Sequence, residues 1–432
     1  MEWKAHGYRV GSHTKELDDV PTDPIELDEF TAGARKEIEP WLSAVFQAEH
    51  LNLLVGSGFT AAIASKAVTK ATTMGSVKFG TKYDAAIDAH AVACAKSMHR
   101  GAANVEDQLR SALAVLEGLQ VTDDTEASAL KSAMDVQLHA FLISLLASER
   151  NIAGAPAADK EQAEAFLQSF LLSFASRAAS RERLHMFTTN YDRLIEHGCD
   201  LAGLRIVDRF VGALTPIFRS SRIEVDMHYN PPGIRGEPRF MEGVVRLTKL
   251  HGSLDWRYDA AERAIRRFAI PFGAPDDHSD VPKKTIDTVM IYPNPAKDVE
   301  TTSYPYAELF RDMAAALCRP NAVVVAYGYG FGDDHINRIL VDMLAIPSTH
   351  LVIIAYAADD RIKNFCARTR PAQVSLLIGP HFAALENLVE HYLPKPALDY
   401  VTGRLTELLR HRPVAAGGPA VAPAAPAGPA AV

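Results

Sequence analysis

The chain has 432 residues, 48% of them hydrophobic and 23% charged, with a formal net charge of −8 and a pI near 6.1. That length allows one large domain or a few ordinary ones, and the acidic balance excludes a global basic field for nucleic acid, leaving only a local patch open. The four cysteines, Cys94, Cys199, Cys318 and Cys366, stand far apart and form no CxxC pair, which excludes a zinc ribbon or thioredoxin-like motif and suits a reducing compartment.

Residues 1–24 carry no clear periodicity and include Pro21 and Pro24, so a loose arm is expected. Its first residues lack the apolar core of a signal peptide. From Leu27 the apolar positions Phe30, Ile38, Trp41, Leu42 and Phe46 fit one or two helices, broken or restarted at Pro40 unless that proline sits in a first turn. Leu51–Val55 reads as a buried parallel strand. Gly56-Ser57-Gly58-Phe59-Thr60 then leads into a helix former, Ala61–Val68. Strand, glycine turn and helix is an arrangement in which backbone N–H groups meet a phosphate; a GxG also makes ordinary tight turns.

Residues 84–180 read as helices. Asn104-Val105-Glu106-Asp107 resembles a capping box, and Val105, Leu109, Ala112, Leu113 and Leu116 follow on one face. Two further stripes, Leu130 to Leu145 and Ala163 to Phe174, are read as core, separated by the spacer 153–158. A helical insertion of this length can cover a site or build an oligomer contact. No apolar run reaches the ~18 residues of a membrane span, so a soluble, cytoplasmic protein is expected.

Leu184–Phe187 is a strand that delivers Thr188-Thr189-Asn190-Tyr191-Asp192 before a helix opens at Arg193. Ligands of open α/β sheets bind outside the carboxyl ends of the strands. Residues 209–243, rich in proline and glycine, read as a long loop. Val245–Leu250 is a strand ending in His251-Gly252-Ser253, where a histidine serves as base, ligand contact or turn cap. The loop 272–284 holds His278 among Asp276, Asp277 and Asp280 without metal-ligand spacing, so no metal is expected. Val289–Tyr292 is a strand ended by Pro293-Asn294-Pro295, and Tyr306–Leu317 a helix. The strand Ala322–Tyr327 precedes Gly328-Tyr329-Gly330-Phe331-Gly332-Asp333-Asp334-His335, in which Asp333 or Asp334 can cap the helix Ile336–Leu344 or accept from ribose hydroxyls. Leu351–Ala355 and Val374–Ile378 are expected to close the sheet, 384–410 to be helical, and the uncharged tail from Pro413 to be disordered.

Four strands that each end in Gly, Ser, Asn or His suggest one site at one sheet edge. Together, Gly56–Thr60, Thr188–Asp192, Leu250–Ser253 and Gly328–Asn337 resemble the sirtuin family, in order and in strand context. The last motif and the Tyr of Asn190-Tyr191-Asp192 are similar to bacterial sirtuin-like NAD hydrolases of antiphage defence. Glu237–Phe240, Leu250–Trp256, Ile291–Pro293, His335–Ile339 and His391–Pro394 resemble the sirtuin-like subunit that assembles with a HerA-type hexameric ATPase. The two CxxC pairs of the deacylases' zinc module and their Pro-Asp-Phe-Arg are missing, and Ser57 and Phe59-Thr60 replace a more usual alanine and serine.

The resemblance implies an α/β fold: a Rossmann-like, mostly parallel sheet with a large helical insertion and no zinc module. It implies an arm and helices over 1–49, an NAD-binding catalytic domain over 50–411 with its insertion at about 84–180, and a tail over 412–432. The implied reaction is hydrolysis of NAD, the substrate, to nicotinamide and ADP-ribose. Asn190 orients a water and a ribose hydroxyl, His251 takes a proton, and Asp192 holds geometry or positive charge, or caps the helix from 193. Gly56 and Ser57 would meet the pyrophosphate, and Gly328, Gly332, Asp334 and His335 would line the adenosine side, with His335 equally open to a structural role; Gly58, Thr60, Thr189, Tyr191 and Tyr329 are further NAD-binding candidates. Implied partners are the HerA-type ATPase and further copies of the chain, with no membrane. The alternatives are a subunit that binds NAD or ADP-ribose without turnover, or a component of a nucleic-acid-cleaving assembly.

Overall fold

The computed structural model describes residues 2–72, 75–98, 102–220, 225–229, 239–259, 261–283, 285, 289–291 and 304–395. Met1–Pro394 forms one compact unit; of the second, Lys395–Val432, only Lys395 is described. The tail and the helix expected beyond 395 lie outside the described residues, as do residues 237–238 and 292–293 of the motifs above.

The N-terminal residues are not a loose arm. Strands β1 (His6–Val10) and β2 (His13–Leu17) form a hairpin turned at Gly11, whose φ of +55° favours glycine. Apolar Tyr8 and Val10 alternate into the core, at 1% exposure each, and this period-two burial was too short to stand out in the sequence. Helix α1 (Pro24–Phe46) starts sharply because Asp23 accepts from the N–H groups of Ile25 and Glu26 and Pro24 needs no partner for its nitrogen. It runs through Pro40 without the expected break. Ala34, Ile38, Leu42 and Phe46 bury one face; at about 1.5–3 kcal/mol for each large side chain, that stripe outweighs the ~3 kcal/mol of an internal proline.

Strand β3 (His50–Val55) leads into helix α2 (Ser57–Lys66). Four helices follow: α3 (Asp84–Ser97), α4 (Val105–Val121), α5 (Glu126–Ala153) and α6 (Ala157–Ala175). The capping box at α4 forms, with Asn104 and Asp107 exchanging side-chain-to-backbone bonds. Helix α5 is long and apolar enough to cross a membrane, although polar residues interrupt its apolar positions, and its stripe of Leu130, Met134, Leu138 and Leu142 is buried in a core shared with α4.

After strand β4 (Leu184–Thr188) and helix α7 (Leu194–Leu201) come β5 (Arg205–Val207), β6 (Phe210–Val211), β7 (Ile217–Phe218), β8 (His228–Tyr229), β9 (Arg239–Phe240), β10 (Val244–Lys249), β11 (Gly252–Asp259), β12 (Ala264–Arg267) and β13 (Val289–Ile291). The expected loop at 209–243 is thus interrupted by short strands. Helix α8 (Tyr306–Leu317), strand β14 (Ala322–Tyr327), helix α9 (Asp334–Leu344), strand β15 (His350–Ala355), helix α10 (Asp360–Ala367) and strand β16 (Val374–Ile378) complete the sheet. The helical stretch expected from 384 begins as a short α-helical turn, Leu385–Asn387, that continues into a π-helical turn, Leu388–Tyr392.

The main sheet has nine strands in the order β2-β1-β16-β15-β14-β3-β4-β10-β5. From β16 to β5 every pairing is parallel; β1 and β2 are antiparallel. Strand β16 therefore does not close the sheet: the N-terminal hairpin covers its free edge. The central order β10-β4-β3-β14-β15-β16 is the doubly wound Rossmann arrangement. The chain leaves β3 toward β4 and β10, then returns to β14 and moves the other way. That reversal between β3 and β14 opens a crevice at the carboxyl ends of the strands. A second sheet, β13-β11-β12-β7-β6, starts one residue beyond His251.

Candidate active site

Strands β4 and β10 pair with Thr188 opposite Lys249, and Leu250 N–H donates to the Thr188 carbonyl at 2.8 Å. Asn190 and His251 each stand two residues beyond that pair. They leave neighbouring strand ends at the same level, which the parallel register alone dictates.

The amide of Asn190 is fixed on one side. Its Nδ2 donates to the Gly56 carbonyl and to Thr60 Oγ1, both at 3.0 Å, and its backbone N–H donates to Thr188 Oγ1 at 3.0 Å. Thr60 Oγ1 donates onward to Asp192 Oδ2 at 2.8 Å, while Asp192 Oδ1 accepts from Leu194 N–H at 3.1 Å. Asp192 thus both supports the first turn of α7 and orders the hydroxyl that holds Asn190. With both amide donors occupied, Asn190 Oδ1 is the atom left to accept from a ligand.

His251 is held from across the crevice. Its Nε2 lies 2.9 Å from Asp333 Oδ2, and both side chains are nine-tenths buried. Asp333 Oδ1 simultaneously accepts from His335 N–H at 3.1 Å, capping α9. Tyr329 tightens the same loop: its hydroxyl donates to the Asp333 carbonyl at 3.2 Å, with Asn337 Oδ1 at 3.1 Å. Burial, with Asp333 nearby, pushes the Tyr329 phenol well above its ordinary value, so it stays a neutral donor.

Tyr191 points away from the strand into the helical region. Its hydroxyl donates to Glu106 Oε1 at 3.0 Å, its ring packs edge-on against Phe141 at 5.9 Å, and its other side lies 6.2 Å from the His251 ring. Burial and then Glu106 raise its phenol well above the usual range. A buried ion pair fixes the next residue: Arg193 bonds the Glu149 carboxylate of α5 through its guanidinium, with its backbone N–H donating to the same group at 2.8 Å. The helical insertion is thus bolted to the residues on both sides of Asp192.

The glycines serve backbone packing. A Cβ on Gly58 would lie 2.7 Å from Gly328 Cα, and one on Gly328, whose φ is +62°, would lie 2.7 Å from Phe59 N. Gly56 N–H donates to the Tyr327 carbonyl and Gly58 N–H to the Gly328 carbonyl, each at 3.1 Å. Helix α2 already starts at Ser57 rather than at Ala61. Of the residues expected to bind NAD, Ser57 is exposed in that first turn and Thr60 is engaged with Asp192 and Asn190. Thr189 is half-buried beside Asn190, its N–H donating to the Val55 carbonyl at 3.3 Å. Gly332 lies half-buried in the loop before α9, Asp334 is exposed in that helix's first turn, and His335 packs edge-on against Phe310 of α8 at 4.2 Å. The structure brings together Asn190, Asp192 and Thr60 as one network and His251 with Asp333 as another.

Residues 184–373 match the model of the SIR2-like domain, a little under half of the chain. The match begins at β4, so it takes in Asn190, His251 and Asp333 and leaves out the glycine turn after β3, the N-terminal hairpin and the helical insertion. None of the curated proteins matches the chain. The fold is mixed α/β and Rossmann-like, and over residues 184–373 the chain is similar to a SIR2-like domain, a similarity that suggests NAD-related chemistry. Among the described residues no three His, Cys, Asp or Glu side chains come together as a metal site.

Three functional contributions were not foreseen from sequence: Asp333 as the partner of His251, Thr188 as the acceptor that sets the Asn190 backbone, and Glu106 as the anchor of Tyr191. Only Asp333 had left a signal, as a possible helix cap.

Proposed function

We propose that this protein hydrolyses NAD to nicotinamide and ADP-ribose. The observation that carries the reading is the convergence of Asn190 and His251 on neighbouring strand ends, with the Asp333 carboxylate on His251 Nε2. In this reaction the bond between ribose C1′ and the pyridinium nitrogen breaks and its electron pair neutralises the nicotinamide, so the leaving group needs no general acid. Water attacks C1′ of the oxocarbenium-like centre, and its proton passes to a base. His251, held through Nε2 by the Asp333 carboxylate, which stabilises the imidazolium that forms, is the base that accepts this proton. Asn190 Oδ1 orients the water or a ribose hydroxyl, its amide held by Gly56 and Thr60 so that little reorganisation is needed.

The cell context belongs to the same proposal: a cytoplasmic enzyme of antiphage defence that depletes NAD, working as an oligomer with a HerA-type hexameric ATPase. A free NAD hydrolase would harm its own cell, and the helical insertion bolted at Tyr191 and Arg193 is the element through which assembly would restrain it.

The test is nicotinamide release from NAD by the full chain, alone and with such an ATPase. Asn190→Ala and His251→Ala are each expected to lower the rate by about 10²- to 10⁴-fold, the contribution of a positioned proton acceptor and its partner. Full activity in both variants rules the assignment out. Binding of NAD without any nicotinamide release moves the reading to a sensor or assembly subunit.

A further inference from the structure

At the opposite, amino-terminal ends of the strands lies a cavity of about 340 Å³, within the size range of small-molecule sites. It opens between the starts of β3 and β4 and the outer face of α8. Strands of this length place it roughly 15 Å from the Asn190 level, so it is separate from the crevice. Arg183, Arg209, Arg246, Arg311 and Arg319 line it. Against these five guanidinium groups stand four carboxylates, Glu182, Glu308 and Asp312 in the wall and Asp226, which pairs with Arg246 at 2.8 Å, so a small excess of positive charge remains in a chain whose net charge is −8.

The carboxylates do not exhaust the donors. Asp312 is taken by Arg209 through both oxygens. Arg319 gives one N–H to Glu182 at 3.0 Å, and Arg311 gives one to Glu308 at 3.2 Å; among the described residues their other guanidinium N–H groups make no hydrogen bond. Arg183 faces no carboxylate at ion-pair distance among the described residues. Its Nη atoms are spent on the carbonyls of Ala178, Arg181 and Met241, and its buried Nε–H has no partner. Asp226 and Glu242 offset its charge only from beyond that distance, and burial, the largest influence, still disfavours the charged form, so an added anion would stabilise it. Guanidinium forks match phosphate oxygens in pairs, and Leu51, Ala315 and Ala316 add a small apolar strip to the same wall.

We propose that this cavity is a second, effector site for a phosphate-bearing small molecule, between a sugar phosphate and a mononucleotide in size. The anion sits against Arg311 and Arg319 at the mouth, with Arg183 supplying positive potential from below. Because α8 packs beside α9, which Asp333 caps, occupancy reaches the His251 partner through one pair of helices. The binding claim itself does not depend on the NAD reading.

Calorimetry on the full chain with AMP and with inorganic pyrophosphate at low salt tests it. Saturable binding of either probe is expected, weakened about tenfold or more in Arg311→Ala/Arg319→Ala. Arg311→Ala alone touches a side chain that is 68% exposed and leaves the Arg319–Glu182 pair intact, so it keeps the test valid if the double variant unfolds. A crystal soaked in AMP should place the phosphate beside Arg311. No saturable binding, binding indifferent to both substitutions, or a phosphate found only at the carboxyl ends of the strands overturns the proposal.

Discussion

Asp333 does two jobs with two oxygens. Oδ1 caps α9 and Oδ2 holds His251. In Asp333→Asn the amide oxygen can still cap the helix, but the group facing His251 becomes a donor and the imidazole must present its other tautomer. Nicotinamide release is expected to fall by about 10²-fold with a nearly unchanged melting temperature, while Asp333→Ala also loses the cap, at about 1 kcal/mol. Steady-state rates against pH, paired with thermal melts, check this; a Asp333→Asn enzyme with the parental rate and pH profile removes Asp333 from the mechanism. At this scale Asn190 and His251 were legible, because polar residues directly after apolar strands announce themselves. The His251–Asp333 contact was not, since nothing local says which carboxylate 82 residues away will meet the ring.

Between elements, the glycine turn is the informative case. Its glycines looked like a phosphate cradle; the structure explains Gly58 and Gly328 by the contact of the β3–α2 turn with the end of β14. Gly328→Ala is expected to cost at least about 1–2 kcal/mol from its left-handed backbone alone, with the clash against Phe59 added. Ser57→Ala touches an exposed hydroxyl, leaves the fold unchanged, and weakens NAD binding only if the α2 terminus meets the pyrophosphate. Denaturant melts and NAD titrations of the two variants separate packing from binding; a Gly328→Ala protein as stable as the parent refutes the packing account. Pro40 and the N-terminal hairpin teach the same lesson. Local rules predicted a break and a loose arm, and burial of Ile38, Leu42, Tyr8 and Val10 overrode both.

For the whole molecule, buried histidines make stability depend on pH. Burial pushes His185 down to about 3, with Arg246 adding to it, and His350 and His381 down to about 4. Their folded values lie below that of the unfolded chain, so the unfolded state takes up protons the fold refuses. Their contribution is complete above the ordinary histidine range and is lost as pH falls toward 4, at up to about 1.4 kcal/mol per pH unit for each group. Buried carboxylates such as Glu196 and Asp208, raised by burial, act in the opposite sense, so the clean measure is a difference. His185→Gln is expected to show a smaller drop in melting temperature between pH 7.5 and 5.5 than the parent; equal drops would dismiss His185 as a contributor. Two contacts of the helical insertion act at this scale too: Glu106 holds Tyr191 and Glu149 holds Arg193.

The sequence by itself determined the elements that local chemistry governs. Short apolar runs became the parallel strands, stripes at helical spacing became the buried faces of α4, α5 and α6, and the strand ends carried the polar residues of the site. Only the tertiary structure decided the strand order, the hairpin that covers β16, the meeting of His251 with Asp333, and the gathering of arginines at the far end of the sheet. Each of these depends on pairing between segments far apart in the chain. Such pairing is set by global burial and register, and no window of neighbouring residues contains it.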